Sequence, residues 1–401
     1  MIHNEAIVMA SVGDLKQSSP IVTGKVEMVR FRLRVFIQLF KIVFRKTGNA
    51  IIALKSILSI KHKYETIFGE QFLTKVAKVD GRYFWRLAAP GFPSKASRLM
   101  QTHESNRFFP GEHRKGLRSL IFSITNKCPL NCQHCFEWYN LNKEEKLKTE
   151  DLIRIVHKYQ DFGTTQIMLS GGEPMLRVND IYKLLTAAKD GTDFWIITSG
   201  LGMTKERAQK LKNAGLTGIM VSLDHYEEEK HNSFRGFENA YRSAIEAIIY
   251  ANEVGLVTTL SLCATKAFVT HENLISYMEL AKELGVSFVQ ILEPRAVGRY
   301  KGKDIFLNEK QQELIQNIYL EYNSSKMFAD YPLIHYLGYH QRKAGCFGAG
   351  DRFFYIDAEG DAHVCPYCTN KIASVLEYTA KDMIGLLNQH SCHVFEKNSY
   401  L

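Results

Sequence analysis

From residue 117 onwards, short apolar runs alternate with segments whose apolar residues recur at helical spacing. The runs are rich in branched and aromatic residues and predict buried β-strands, and the intervening segments predict amphipathic helices. The strands fall at about 119–125, 166–170, 193–198, 217–223, 256–264 and 287–293, and the helices at about 149–163, 178–190, 204–214, 238–254 and 271–284. Six strand–helix units in series predict an α/β fold with a parallel sheet, closed into a barrel or partial barrel.

The segment before this alternation has a different pattern. Residues 26–45 predict one helix, on which the polar side chains share an arc of about 80° and almost all the others are large and apolar. A narrow polar stripe of this kind is typical of a helix lying in a membrane interface. The same pattern also fits a helix packed on the rest of the chain or on a second subunit, and both interpretations stay open. The polar positions are Glu27, Arg30, Arg34, Gln38, Lys41 and Arg45.

Two further patterns in the sequence divide the chain into domains. Two apolar runs flank Asp80-Gly81, which predicts a β-hairpin at about 72–87. Residues 301–323 predict another helix, and the last 60 or so residues become rich in Gly, His and Cys. We therefore expect an N-terminal helical and hairpin extension over 1–116, a barrel over 117–300, and a small cysteine-rich C-terminal domain over 301–401.

Composition and charge narrow the class of protein. With 401 residues and 45% apolar content, the chain is globular, and most of its eight cysteines are clustered at ligand-like spacing, which favours metal in a reducing compartment. Residues 1–24 lack a charged start followed by an apolar block, so we expect a cytoplasmic protein. Residues 1–60 carry nine Lys and Arg against three Asp and Glu, which favours contact with the anionic inner face of the membrane. No nucleic-acid-binding motif accompanies this charge, so we expect no nucleic acid partner.

Three cysteines lie within eight residues directly after the first strand of the barrel. The CxxxCxxC spacing of Cys128, Cys132 and Cys135 can hold one face of an iron–sulfur cluster and leave one iron open to a small molecule. Zinc also favours closely spaced cysteines with a nearby histidine, so the triad alone leaves both metals open. One strand–helix unit later comes the turn Gly171-Gly172-Glu173-Pro174. Its glycines let a ligand approach the backbone, and its carboxylate can hold an amine.

Together, this triad and turn resemble the radical S-adenosylmethionine (SAM) superfamily over roughly residues 117–300. The resemblance implies a partial (β/α)6 barrel in which Cys128, Cys132 and Cys135 hold a 4Fe–4S cluster, with SAM on the open iron and near Gly171–Pro174. It also implies reductive cleavage of SAM to a 5′-deoxyadenosyl radical that abstracts hydrogen from a substrate. A reductant such as flavodoxin or ferredoxin is the implied electron donor. Further SAM contacts carried over by the resemblance are His134, Ser199, Ser222 and Arg235.

The C-terminal cysteines resemble the SPASM/twitch extension of many radical SAM enzymes. The full SPASM pattern has seven cysteines, whereas this section has four, which suffice for one auxiliary 4Fe–4S cluster. A four-cysteine zinc site fits the same count. The four predicted metal ligands are Cys346, Cys365, Cys368 and Cys392.

The sequence leaves the substrate open. The C-terminal resemblance favours a peptide or protein side chain, and the basic amphipathic helix favours a membrane-associated, lipid-like molecule. A non-catalytic metal-binding or interaction protein on a degenerate barrel is the alternative from another class. The intact cysteine triad and Gly-Gly-Glu-Pro turn speak against that alternative.

Overall fold

The computed structural model describes residues 20–68, 74–107, 109, 116–390, 392 and 394–395. Its centre is the predicted strand–helix alternation, and the predicted α/β partial-barrel fold is confirmed. The strands are β4 (Ser119–Ser123), β5 (Gln166–Ser170), β6 (Asp193–Thr198), β7 (Leu216–Ser222), β8 (Val257–Cys263) and β9 (Phe288–Leu292). The helices between them are α4 (Thr149–Asp161), α5 (Val178–Ala187), α6 (Lys205–Asn213), α7 (Glu228–Arg235), α8 (Ala240–Glu253) and α9 (His271–Glu283).

These strands are buried on both faces, which explains their continuous apolar character. Side chains on one face, such as Leu260 and Leu262, join the helices in the main core. Side chains on the other face, such as Trp195 and Met220, point into the barrel lumen and form a second cluster. Successive strands pair in parallel from β4 to β9, so all six carboxyl ends lie at one end of the barrel.

Residues beyond 300 extend this same sheet at both edges. They form α10 (Glu309–Ser324), β10 (Leu333–Tyr336), α11 (Leu337–Ala344), β11 (Phe353–Ile356), β12 (Ala362–His363) and α12 (Ala380–Leu387). Strand β10 pairs in parallel with β9, β11 pairs in parallel with β4, and β12 is antiparallel to β11. In the described chain the sheet order is β10-β9-β8-β7-β6-β5-β4-β11-β12.

The N-terminal extension closes the opposite end of the barrel. It contains β1 (Ile21–Val22), α1 (Lys25–Thr47), α2 (Ala50–Phe68), β2 (Val76–Val79), β3 (Arg82–Phe84) and α3 (Lys95–Asn106). The expected hairpin is β2–β3, with Asp80 and Gly81 at positive φ in its turn; residues 72 and 73 lie outside the described part. Phe84 and Leu87 insert among the lumen side chains. Because this end is plugged, the lumen is accessible from the carboxyl ends of the strands.

Helix α1 packs on this hairpin through one side only. Its Met28 and Phe31 are buried with Val76, Tyr83 and Phe92, and its Val43 packs on α2. A second apolar side of the same helix is exposed. No helix in the described part of the chain is long and apolar enough to cross a membrane.

Candidate functional site

The three-cysteine loop follows β4 at the carboxyl end of the barrel and is held by backbone contacts from distant segments. The Asn131 and Gln133 amides donate hydrogen bonds to the carbonyls of Arg235 and Phe234, at 3.0 and 2.9 Å. The Arg299 amide donates to the Cys135 carbonyl at 3.0 Å. The loop therefore takes its shape from the segment after β7 and from the segment after β9.

Asn142, which sequence reasoning did not single out, and Arg299 also brace this loop. Asn142, at φ 60°, clamps the Cys128 backbone: its amide group donates to the Cys128 carbonyl and its Oδ1 accepts from the Cys128 amide, each at 3.1 Å. The Arg299 guanidinium donates to the Asn131 carbonyl at 2.7 Å and lies 4.4 Å from the Trp138 ring centroid. From the sequence alone, Arg299 could meet an anionic substrate group or close the barrel rim, and the rim is favoured. In the structure it contacts the cysteine loop, and the glycine before it, Gly298, at φ 54°, lies against the Cys135 carbonyl.

The thiols of the loop lie in a low-dielectric setting beside a buried ion pair. Burial raises the pKa of Cys128 and of Cys135 to about 12, so both thiols stay protonated unless a metal replaces the protons. The Arg235 guanidinium lies 3.8 Å from the Cys132 sulfur and 2.5 Å from the Asp224 carboxylate. Burial opposes the charge on Arg235, but the Asp224 carboxylate holds its pKa above the ordinary value. This cation can offset negative charge on a thiolate ligand set.

The Gly-Gly-Glu-Pro turn packs directly against the start of the cysteine loop. The Gly172 and Glu173 amides donate to the carbonyls of Thr125 and Lys127, both at 2.8 Å. A Cβ on Gly172 would lie 2.4 Å from the Lys127 carbonyl oxygen and 2.9 Å from the Cys128 Cβ. Gly171 is similarly close to Thr125, and Pro174 begins a short 3-10 turn. Glycine is therefore required here to bring the two motifs together.

Glu173 is buried within a set of donors from its own turn and from the end of β6. Its carboxylate accepts hydrogen bonds from the Thr198 hydroxyl at 2.6 Å, from the Ser199 amide at 2.8 Å and from the Ser199 hydroxyl at 2.6 Å. It also accepts from the Met175 amide at 3.0 Å. Burial raises the pKa of Glu173, and these donors partly offset the rise. The structure thus places Ser199 beside Glu173.

The other predicted SAM contacts surround the same end of the barrel. The His134 ring stacks on Phe234, with centroids 4.9 Å apart, and burial lowers its pKa to about 4, so the ring is neutral. The His134 Nδ1 atom is buried without a hydrogen-bond partner among the described residues. Ser222 is half-buried at the end of β7. Arg235 is buried against Asp224, which also accepts a 2.9 Å hydrogen bond from the Cys263 amide.

The C-terminal cysteines converge from four points in the chain. The Cys365 and Cys368 sulfurs are 3.4 Å apart, and the Gly348 amide donates to the Cys346 sulfur at 3.3 Å. Contact with Cys392, together with burial, raises the pKa of Cys346, while donation from Cys346 and Cys368 lowers the pKa of Cys392. All four thiols can therefore ionise together only if a cation lies between them.

An aromatic contact joins the two cysteine sets. Phe136, directly after Cys135, packs edge to face on Tyr367, which lies between Cys365 and Cys368; their ring centroids are 6.1 Å apart. Phe136 also packs on Tyr355 of β11, whose hydroxyl donates to Glu137 at 2.7 Å. Neither contact is visible in the sequence, because each depends on β11 pairing beside β4.

The residues present fit a metal cluster by their chemistry. Seven thiols fall into two sets, each constrained by glycine close contacts and backbone hydrogen bonds, and thiolates are the ligands of iron–sulfur clusters. Within the described residues, no three Cys, His, Asp or Glu side chains already form a ready-made metal cage. The assignment of the ligands therefore rests on spacing and surroundings.

Comparison with known proteins agrees with this chemistry. Residues 122–284 match the model of the Radical SAM superfamily. The chain is 29% identical over 217 residues to GTP 3',8-cyclase of Staphylococcus carnosus, covering 52% of this chain and 63% of that protein. It is 29% identical over 258 residues to PqqA peptide cyclase of Granulibacter bethesdensis, covering 61% of this chain and 67% of that protein. The chain thus spans about two thirds of the length of these curated relatives.

Solved structures share the fold at low sequence identity. Streptococcus suis SuiB bound to the precursor peptide SuiA matches with a TM-score of 0.52 and 18% identity, over 71% of this chain and 64% of that one. The structure of anSMEcpe with bound AdoMet matches with a TM-score of 0.56 and 17% identity, over 69% and 84%. The match to the Radical SAM superfamily covers residues 122–284, which contain the cysteine triad, the Gly-Gly-Glu-Pro turn and most of the barrel strands.

Proposed function

We propose that this protein reductively cleaves SAM and modifies a substrate by hydrogen abstraction, with the aid of one auxiliary 4Fe–4S cluster. The observation that carries the proposal is the packing of the Gly171–Gly172 turn on Thr125–Cys128, which joins the two motifs in one site. When bound, the cluster and SAM supply a carbon radical that can attack an unactivated C–H bond. The protein's contribution is to bind, orient and exclude water.

This chain's own residues have separate roles in the proposal. Cys128, Cys132 and Cys135 would hold the SAM-binding cluster, and Arg235 would offset its negative charge because it lies beside the Cys132 sulfur. Glu173, fixed by Thr198 and Ser199, would present its carboxylate to the SAM amino group. Gly171, Gly172, Pro174, His134 and Ser222 would line the remainder of the SAM site. The neutral His134 ring, with its unsatisfied Nδ1, can accept a hydrogen bond there.

The four C-terminal thiols would hold the auxiliary cluster. The contact between Phe136 and Tyr367 supports this assignment, because it brings the loop of one cysteine set into van der Waals contact with the loop of the other. Two redox centres so close could exchange an electron with each other or with a substrate radical between them. A zinc ion in the same four thiols is the competing occupant.

The substrate class we favour is a peptide or protein side chain. One relative is named a PqqA peptide cyclase, and one protein of similar fold was solved with a precursor peptide. A membrane-associated, lipid-like substrate is the second candidate, and the exposed apolar side of α1 supports it. In either case the reaction requires a one-electron donor, for which flavodoxin or ferredoxin would serve.

Anaerobic reconstitution with iron and sulfide tests the proposal directly. The full chain should bind about eight irons, because two cubane clusters hold four each. With reductant and SAM it should release 5′-deoxyadenosine. A content of about four irons and one zinc would contradict the proposed auxiliary cluster, and an absence of 5′-deoxyadenosine would contradict the proposed activity.

Three cysteine variants separate the two sites. Cys132→Ala should lose about four irons and all 5′-deoxyadenosine formation, because it removes one of the three ligands of the SAM-binding cluster. Cys365→Ala should lose the other cluster. The matched control is Cys263→Ala, whose thiol is buried in β8 outside both sets and whose loss should leave the iron content unchanged. A fully active Cys132→Ala protein would contradict the assignment.

A further inference from the structure

One side of α1 is apolar and exposed over much of the helix, although Phe40 on that side is half-buried against α2. At 100° per residue, its exposed apolar side chains fall within an arc of about 100°. The buried side of the helix lies in a separate arc. Its Met28 and Phe31 pack on the hairpin, and Ile42 is buried on the same side. The exposed apolar residues are Val26, Val29, Leu33, Phe36, Ile37 and Phe44.

Helix α2 continues this apolar surface. Its Ala53 and Ile57 are buried against α1, whereas Ile51, Leu54 and Leu58 are exposed, Leu58 to 65%. The two helices hold ten of the seventeen large apolar side chains that are exposed in the described part of the chain. Scattered exposed apolar side chains are ordinary, but such a concentration on one helical pair marks an interaction surface.

The polar groups beside this surface are almost all cationic. Arg30, Lys41, Arg34 and Arg45 follow one another around α1, starting directly at the edge of the apolar arc, and all four are exposed. Residues 25–68 contain ten Lys and Arg but only two acidic residues. Of those two, Glu27 pairs with Lys78 at 2.6 Å and Glu65 with Lys61 at 3.5 Å. The surface therefore combines exposed apolar side chains with a strong net positive charge.

We propose that α1 and α2 dock on an anionic lipid surface, with the apolar arc inserted among the lipids and the flanking cations on their headgroups. Apolar insertion and electrostatic attraction act together in such interfacial helices. Neither helix crosses the bilayer, which agrees with the hydropathy of the described helices. A second copy of this chain fits less well, because a self-complementary contact would bring two cationic flanks together. The proposal does not rest on the proposed function.

Because α2 contacts the barrel, docking on a membrane would also position the barrel. Helix α2 packs against α11, the helix that leads from the edge strand β10 to Cys346. The helical pair that carries the exposed apolar surface is therefore attached to the edge of the barrel sheet. Docking would hold that edge of the barrel at the membrane.

Vesicle flotation of the reconstituted full chain, without SAM, tests the proposal. The protein should float with vesicles of phosphatidylcholine containing about a third phosphatidylglycerol and far less with phosphatidylcholine alone. Raising the salt from about 0.1 M to about 1 M should weaken the binding, because screening shortens the reach of the cations. No flotation of the wild-type chain with anionic vesicles would overturn the proposal.

Two triple variants test the apolar and the cationic side chains of the surface separately. Each should weaken binding by at least about tenfold, since each removes either inserted apolar area or charge near the headgroups. Because every substituted side chain is exposed, the thermal unfolding of both proteins should stay near that of wild type. The variants are Leu33→Ser/Phe36→Ser/Phe44→Ser and Arg30→Glu/Arg34→Glu/Lys41→Glu.

Control variants carry serine or glutamate substitutions at exposed positions outside α1 and α2. Leu320→Ser/Met327→Ser and Lys310→Glu/Lys326→Glu/Lys381→Glu should bind within about twofold of wild type. Equal losses in the controls and in the surface variants would overturn the proposal. The proposal would also be overturned if the protein did not bind vesicles and light scattering showed a dimer that the surface variants convert to a monomer.

Discussion

Substitution of Gly172 by alanine tests the contact that joins the two motifs of the site. The new Cβ would lie 2.4 Å from the Lys127 carbonyl oxygen, 2.8 Å from the Lys127 carbonyl carbon and 2.9 Å from the Cys128 Cβ. Contacts below 3.0 Å do not persist, so the shortest must lengthen by at least about 0.6 Å. All three neighbours are backbone or Cβ atoms and cannot rotate away.

The displacement would fall on the first ligand of the cysteine triad. Binding geometries tolerate errors of about 0.5 Å, so we expect Gly172→Ala to lose most of the SAM-binding cluster and the release of 5′-deoxyadenosine. Overpacking of this kind should also cost about 1–3 kcal/mol of unfolding free energy. The measurements are iron and sulfide per chain, the rate of 5′-deoxyadenosine release, and urea unfolding.

A glycine in open space supplies the control. Gly385 lies in α12, and a Cβ added there would have no atom within 4 Å, so Gly385→Ala should be neutral or stabilising by up to about 1 kcal/mol. Both substitutions add one methyl group, and neither glycine has a positive φ. Wild-type iron content and activity in Gly172→Ala would refute the steric argument.

Three further predictions concern stability. Asp224→Asn should cost about 3–5 kcal/mol in urea unfolding, because it leaves Arg235 buried without its carboxylate. The control Glu246→Gln, in an exposed pair with Arg242, should leave the unfolding free energy near that of wild type, and equally small losses in both variants would contradict the prediction. Burial lowers the pKa of Lys75 to about 7 in the folded chain, whereas the pKa in the unfolded chain is near 10.4. Between these pH values the unfolded chain binds more protons, so the stability of the folded chain should rise with pH from about 7 to 10. Lys75→Met should lack this rise, and parallel pH profiles of the two proteins would refute the prediction. Phe84→Ala should cost about 3–5 kcal/mol because it empties the plug of the barrel, and a cost below about 1 kcal/mol would show that the hairpin is not a plug.

The fold is predictable where the pattern is local. Each of the six strands is a short apolar run, and each structural strand begins and ends within a few residues of its prediction. The edge strands β10 and β11 are not predicted as part of this sheet, since four-residue strands carry little pattern and their pairing depends on which neighbours are left unpaired. For the same reason, the sequence predicts a separate small domain over residues 301–401, whereas part of this segment lies in the barrel sheet.

The helix at 26–45 shows how one pattern can serve two environments. Its periodicity predicts a wide apolar face and leaves two interpretations open, burial or membrane contact. In the structure the face is divided: Met28 and Phe31 are buried on the hairpin, and Leu33 and Phe36 are exposed. Periodicity reports how many apolar residues share a side, but the shape of the neighbouring hairpin decides how much of that side is covered.

The sequence by itself determined which residues are the candidates for the site, because the residues of each motif are only a few positions apart. The spacing of Cys128, Cys132 and Cys135 and the two glycines before Glu173 are legible without any fold. Only the tertiary structure decided what surrounds them: the Asp224–Arg235 pair, the Arg299 brace and the Phe136–Tyr367 contact. These contacts join segments far apart in the chain, and the order of strands in the sheet, which no local pattern encodes, brings them together.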